Sequence, residues 1–320
     1  MLTRRAIPAL AALLPAAAAA QPAWPDRPIR WIVPFPPAGT ADILSRLLGE
    51  RVSQRLGQPV LVENRAGAGG TLAAAIVAQA RGDLHMTMVG NVSHAISPAL
   101  FPNVTYNADT DFTQVAVLGA LPMVVAVNPS VPAQDLAQMI ALARAQGSAF
   151  SMAYGGNGTA SHLIGISFHR AANISPTFVP YRGAGPALVD VLAGTVPSIM
   201  ETLPAAIGHI RAGRLRALAV SSPARSVVLP EVPTFAELGL GAATGVNWFN
   251  FMLPAGIPAP MLARWSGEIR AITAIPEVKA RLDELGLEGA IHDPAQAQAL
   301  VRTEMARWAE VIRSANIQPS

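Results

Sequence analysis

The sequence predicts an α/β protein in which two strand–helix sets are joined by two chain crossings. Three observations carry this. Short apolar strands alternate with helix-period segments from residue 29 to 89, and again from 122 to 220. Such alternation argues for parallel pairing with right-handed crossovers. A proline- and glycine-rich passage, Ser222 to Gly241, follows the second set, and three proline-opened helices close the chain. With little strand material between them, these helices are expected to return to the first domain. Two connections then lie side by side and form a hinge. The expected units are residues 21–121 as the first part of domain 1, 122–224 as domain 2, and 225–320 as the return to domain 1.

Taken in order, Ile29 to Val33 is a short continuous apolar strand of the buried type. The helix Ala41 to Leu56 carries Ile43, Leu44, Leu47, Leu48, Val52 and Leu56 at helical spacing, and Gly57 stops it. Val60 to Glu63 is a strand. The glycine-rich turn Gly67-Ala-Gly-Gly-Thr71 enters the helix Leu72 to Ala80, and Met86 to Val89 is the third strand. A looser region, Phe101 to Asp111, precedes strands at Val115–Leu118 and Met123–Val127. The second set reads as helix 133–145, strand 150–153, helix 160–172, strand 177–179, helix 186–192, strand 196–200, helix 204–212 and strand 217–220. Val246 to Leu253 is apolar and aromatic, with Trp248 and Phe249 assigned to the core. Pro258, Pro276 and Pro294 each open a helix.

Composition excludes several classes of function. Half of the 320 residues are hydrophobic and 13% are charged, as packed α/β layers require. There is no cysteine, hence no disulfide framework, thiol catalysis, thiolate metal site or lipoprotein anchor. Lys279 is the sole lysine, and no basic run is interleaved with aromatics, so nucleic acid is not an expected partner. The six histidines have no metal-type spacing, and no metal or other cofactor is expected. Residues 1–20 read as a cleaved signal peptide: Arg4-Arg5, an apolar centre from Ala6 to Leu14, and small residues from Ala16 to Ala20. General secretion is preferred over the twin-arginine route. The mature chain is expected to be soluble in the periplasm.

Four small-residue polar loops follow strands: Pro34 to Asp42, Gly90 to His94, Tyr154 to Ser161, and Pro180 to Gly185. In open α/β sheets these strand ends face the ligand crevice. The first loop enters a helix N-terminus, where free N–H groups and the helix dipole favour an anion. In the third, the glycines allow close backbone approach, Thr159 suits an N-cap, and Asn157 and Ser161 offer neutral hydrogen bonds. Each loop also has a plainer explanation in capping and tight connection. Asp42 can stabilise its helix dipole or meet an ammonium, and Glu201 faces the same alternatives. Gly67 to Thr71 fails the dinucleotide fingerprint because the third glycine would fall at Leu72. Ser161 and His162 are adjacent on a helix and point about 100° apart, so they do not form a nucleophile–base pair.

A set of motifs then stands out: Trp24-Pro-Asp-Arg-Pro-Ile-Arg followed by Ile32-Val-Pro-Phe-Pro-Pro; Gln58-Pro-Val-Leu-Val-Glu-Asn-Arg; Gly67-Ala-Gly-Gly-Thr; Gly156-Asn-Gly-Thr-Ala-Ser-His-Leu; Val179-Pro-Tyr-Arg-Gly; His209-Ile-Arg-Ala-Gly-Arg-Leu-Arg-Ala-Leu-Ala-Val; and Leu229-Pro-Glu-Val-Pro-Thr. In combination they closely resemble the periplasmic receptors of tripartite tricarboxylate transporters, the Bug receptors, from Trp24 to about Ile317. The resemblance implies a two-domain periplasmic-binding-protein fold of type II, a clamshell with a two-strand hinge. It implies a non-catalytic, monomeric receptor that captures a small organic acid or amino acid and hands it to membrane transporter subunits. By matching motifs, Phe35, Gly39, Thr40 and Asp42 would form one jaw, flanked by Asn91 and Ser93. Asn157, Thr159, Ser161, Tyr181 and Gly183 would form the other, with Thr202 on the pocket floor. The sequence departs from the family pattern at Ala38 (usually glycine), Ala41 (usually a hydroxyl residue), Glu201-Thr202 (usually Asp-Asn) and Gly82 to Thr87 (usually Asp-Gly-Tyr-Thr-Leu). A ligand sensor for a membrane kinase, and an enzyme on the same fold, are the alternatives.

Overall fold

The computed structural model describes residues 24–314 and 316–317; the expected signal peptide lies outside the described residues. The first set is β1 (Ile29–Val33), α1 (Thr40–Leu56), β2 (Val60–Asn64), α2 (Thr71–Gln79), β3 (Met86–Asn91) and α3 (Ser93–Leu100). β1 pairs in parallel with β2 on one side and β3 on the other. Its apolar residues Ile29, Trp31, Ile32 and Val33 are fully buried, because both faces of the strand are covered. Gly57 ends α1 in the left-handed region at φ +70°, its N–H donating to Ser53.

β4 (Phe112–Val127) leads into α4 (Leu136–Gln146), β5 (Ser151–Tyr154), α5 (Ala160–Ala171), β6 (Thr177–Pro180), α6 (Ala184–Leu192), β7 (Ser198–Thr202), α7 (Leu203–Arg211) and β8 (Arg216–Val220). The chain closes with β9 (Val246–Pro254), α8 (Ala259–Thr273), α9 (Pro276–Glu284) and α10 (Pro294–Ser314). The nine-stranded sheet runs β2-β1-β3-β9-β4-β7-β5-β6, with β8 also on β4. It is mixed. Pairing is parallel throughout the first set and among β5, β6 and β7 of the second, as expected. It is antiparallel where β4 meets β7 and β8, which departs from the all-parallel expectation for the second set, and β9 is antiparallel to β3 and β4.

Two local expectations give way. The strands expected at 115–118 and 123–127 are one strand of 16 residues. Gly119, at φ +141°, and an adjacent register shift absorb the irregularity that reads as a break. The second is α3, whose first turn the sequence pattern places in a loop. The Asn91 side chain accepts from the Ser93 N–H at 3.0 Å, turning the chain directly from strand into helix. Pro98 within it argues against a helix, but His94, Ala95, Ile96, Ser97 and Leu100 are all buried, and tertiary packing overrides local preference.

β4 links the two halves of the sheet. Its residues 112–122 pair with β9, and 123–127 pair with β7 and β8. At the changeover a single buried serine fastens both chain crossings. Ser221 N–H donates to Met123 O at 2.9 Å, and Met123 N–H donates to Ser221 Oγ at 2.9 Å. Ser221 Oγ in turn donates to Gly245 O at 2.6 Å, and Gly245 N–H donates to Ser221 O at 2.9 Å. The passage after β8 packs on the second set: Leu229 and Val232 join the core of α6, α7 and β7, and Phe235 stacks on Phe168 of α5.

Candidate ligand cleft

The loops after β1, β5, β6 and β7 meet across the cleft between the halves. Thr40 Oγ1 lies 3.0 Å from Thr202 Oγ1. A Cβ added to Gly183 would sit 2.9 Å from Pro36 Cδ, and one on Gly69 would sit 2.8 Å from Asn157 O. At these two glycines the absent side chain is what lets the jaws touch. The halves thus touch around an inner cavity of about 50 Å³ that is partly open to solvent. A larger space of about 660 Å³ opens outside it.

Eight of the twelve residues singled out from the sequence line the interior cavity: Phe35, Gly39, Thr40, Asn91, Thr159, Ser161, Gly183 and Thr202. Asn157 and Tyr181 line the outer space instead. The Tyr181 hydroxyl donates to Asp190, and the Tyr154 hydroxyl donates to Asn157 Oδ1. Asp42 and Ser93 line neither space. The Asp42 carboxylate faces its own loop, where it accepts from Ala38 N–H at 3.0 Å, from Asn64 Nδ2 at 2.9 Å and from both arms of Arg46. Burial alone would raise this carboxyl, but the Arg46, Asn64 and Ala38 donors outweigh it and hold it below its ordinary value.

Four helices present their N-terminal ends to the cavity: α1 after Gly39, α5 after Thr159, α6 after Gly183 and α7 after Thr202. Only the α5 cap is closed by a side chain, Thr159 Oγ1 accepting from His162 N–H. The others leave first-turn N–H groups free of side-chain caps, the arrangement that attracts an anion. Buried hydroxyls stand beside them: Thr159 Oγ1 donates to Gly156 O at 2.6 Å, so Ser161 Oγ donates to Thr159 Oγ1 at 2.8 Å while accepting from Gly155 N–H. His162 Nδ1 accepts from Gly158 N–H rather than from Ser161, and its ring stacks on Tyr154. Burial lowers His162 to about 4, so the ring is neutral near pH 7. Among the described residues no group of three or more His, Asp or Glu could hold a metal ion.

The cavity also draws on residues outside the first list. Asn247 and Phe249 come from β9, and Met123 from β4. The sequence places Phe249 in the core, and it is both core and cavity wall, 1% exposed. An asparagine near the start of a mostly apolar strand is the available signal; the Asn247 Oδ1 is buried without a partner, as is that of Asn250 further along β9. Glu201, left open between two roles, lines the cavity from the end of β7. Its Oε1 accepts from Thr202 N–H at 2.8 Å and from Thr202 Oγ1 at 3.2 Å. Burial raises its carboxyl to about 7, with the Thr202 donors offsetting part of the rise.

An α/β chain crossed by two central strands, with a cavity between its halves, has the architecture of a periplasmic solute-binding protein. Residues 44–317 match the family described as tripartite tricarboxylate transporter family receptor, and the chain belongs to that family. It is 35% identical over 295 residues to protein BugT of Bordetella pertussis, covering 91% of this chain and 90% of that one. Among solved structures, Rpa4515 of R. palustris with adipate superposes with a TM-score of 0.89 at 31% identity, covering 93% of this chain and all of that one. MatC of Rhodopseudomonas palustris with bound malate gives 0.84 at 32% identity, over 90% of this chain and all of that one.

Proposed function

We propose that this chain is a non-catalytic periplasmic receptor. It captures a small carboxylated metabolite between its halves and delivers it, as a monomer, to membrane subunits of a tripartite tricarboxylate-type transporter. The observation that carries this is the convergence of four helix N-termini and buried hydroxyls on one cavity between the halves. That equipment holds a carboxylate by dipoles rather than by an ion pair. The adipate and malate of the two related structures are ligands of this chemistry. The moving units are residues 24–121 with 246–314, against residues 122–245. They turn about β4 and the Ser221–Gly245 crossing, and the 222–245 passage travels with the half it packs on. Export by the N-terminal signal peptide places the receptor in the periplasm.

Isothermal titration against a panel of carboxylates tests this, with adipate and malate among them. Stoichiometric binding without turnover is the expected result. Thr159→Ala should weaken the tightest member by roughly 1–3 kcal/mol if its hydroxyl turns from Gly156 O to a buried carboxylate when ligand enters. Unchanged affinity with lowered thermal stability would reduce Thr159 to a helix cap. Turnover of any bound acid that disappears on changing Ser161 or His162 would overturn the receptor assignment.

A further inference from the structure

An anion-seeking cavity that also holds a buried acid poses an electrostatic question. The carboxylic group of Glu201 lies among four helix N-termini, and no arginine, lysine or histidine lines the interior cavity. Its two hydrogen-bond donors, the N–H and hydroxyl of Thr202, both fall on Oε1. Among the described residues no hydrogen bond reaches Oε2. That oxygen lies beside Gly155, 2.7 Å from where a Cβ would stand, with Ser161 Oγ 3.3 Å from the same point. Glycine at 155 is what leaves room for it. Donors spread over both oxygens would favour an ionised carboxylate. Donors gathered on one oxygen leave the other to carry a proton.

We propose that Glu201 sets the charge of the captured ligand: in its neutral form Oε2 donates a hydrogen bond to a ligand carboxylate, and capture takes up one proton from solvent. This rests on the carboxylate-receptor assignment above and adds the residue that selects for it. An ionised Glu201 beside a bound carboxylate in a closed space would repel it, with no cation to compensate. The neutral acid turns that repulsion into a donor, and the proton stays on Oε2 until the ligand leaves.

The surrounding elements supply no competing charge. The strand partner of Glu201 on β4 is Val124. Asn247 and Phe249, from β9, are uncharged. On β5, burial raises the Tyr154 phenol to about 12. His162 on α5 is neutral near pH 7. Asp42 on α1 is paired with Arg46, and Asp190 on α6 accepts from Tyr181. His209 and Arg211 stand in the last turn of α7, away from its cavity end. Arg182 lines the outer space. Burial is the first cause of the raised Glu201 value, and no other charged group contributes to it.

The test is titration of the full receptor with dicarboxylates that lack an amino group, adipate and malate among the probes. It is run from pH 6 to pH 8, in pairs of buffers with different ionisation heats. With the free acid titrating at about 7, affinity is expected to fall about tenfold from pH 6 to pH 8. Close to one proton is taken up per ligand at pH 8. Glu201→Gln should abolish both the slope and the uptake; the proton count on the unaltered receptor stands alone if that variant fails to fold. A flat affinity with no proton uptake overturns the proposal while leaving the receptor assignment standing. So does a preference of tenfold or more at pH 8 for aspartate over succinate that Glu201→Gln removes, which would show an ionised acid meeting an ammonium. Binding of no carboxylate at any pH overturns the receptor assignment itself.

Discussion

Asp42 and Glu201 hold matching places in the two halves of the molecule. Each stands where a strand turns into a helix at the cleft, and the two residues are 3% and 6% exposed. Their surroundings differ. Asp42 has donors on both oxygens, from Arg46, Asn64 and the Ala38 N–H, and its carboxyl is held below the ordinary range. Glu201 has donors on one oxygen only and is raised to about 7. Burial pushes both upward; what separates them is whether the fold supplies enough donors to reverse it. One acid holds a jaw in shape. The other is left unfinished on the side that faces the cavity.

The largest effect expected from this difference is on Glu201. Its folded value lies above the ordinary 4.5. The folded receptor therefore keeps a proton that the unfolded chain loses, and stability falls as pH rises from 4.5 to about 7. Glu201→Gln removes that loss and should stabilise the ligand-free receptor by about 3 kcal/mol at pH 8, and by much less at pH 5. Chemical denaturation at the two pH values reads this directly. A variant no more stable than the parent at pH 8 would mean that the ionised acid is already satisfied.

Asp42 should respond with the opposite sign. Asp42→Ala leaves the Ala38 N–H, Asn64 and Arg46 without their acceptor and should cost about 2 kcal/mol at neutral pH. Since the folded value is depressed, this contribution is present above the ordinary 3.8 and is lost as pH falls below it. The parent and the variant should therefore converge in denaturation experiments under acid conditions. Equal stability at pH 7 would show that the three donors are as well served by water.

The sequence reveals one side of this contrast and hides the other. Strand-to-helix punctuation marks the loops that hold Thr40, Thr159, Ser161 and Gly183, because small and hydroxyl residues before an apolar helical run suit a close approach to a ligand; Thr202 enters only through the family resemblance. The same logic brings in Asp42, yet spacing does not say which way a carboxylate turns, and Asp42 turns into its own loop. Glu201 and Asp42 look alike in the sequence, since the donors that distinguish them arrive from residues as distant as Asn64. Asn247 and Phe249 escape because they reach the cavity from the first half of the antiparallel crossing strand β9, where no glycine-rich strand-to-helix turn announces a site. The architecture follows a similar line. Apolar periodicity marks both strand–helix sets, but Gly119 and Pro122 break β4 on paper, and only its pairing with β9 and β7 makes it one strand.

The smallest effect is also the most specific test of the Asp42 side. Ala38 has φ +66°, in the left-handed region, where the family pattern has glycine. An L-residue there is strained by roughly 1–2 kcal/mol, partly offset because alanine has less freedom than glycine to lose on folding. Ala38→Gly should therefore stabilise the receptor by only about 0.5–1 kcal/mol. The strain is held in place by the Asp42 carboxylate, which the Ala38 N–H meets at 3.0 Å. Without that acceptor the turn is free to relax, and glycine has little left to relieve. The benefit of Ala38→Gly should thus shrink toward zero in an Asp42→Ala background. A double-mutant cycle by denaturation measures the coupling; additive effects would mean that the backbone of this jaw is shaped by Pro36 and Pro37 instead, and that Asp42 only decorates it.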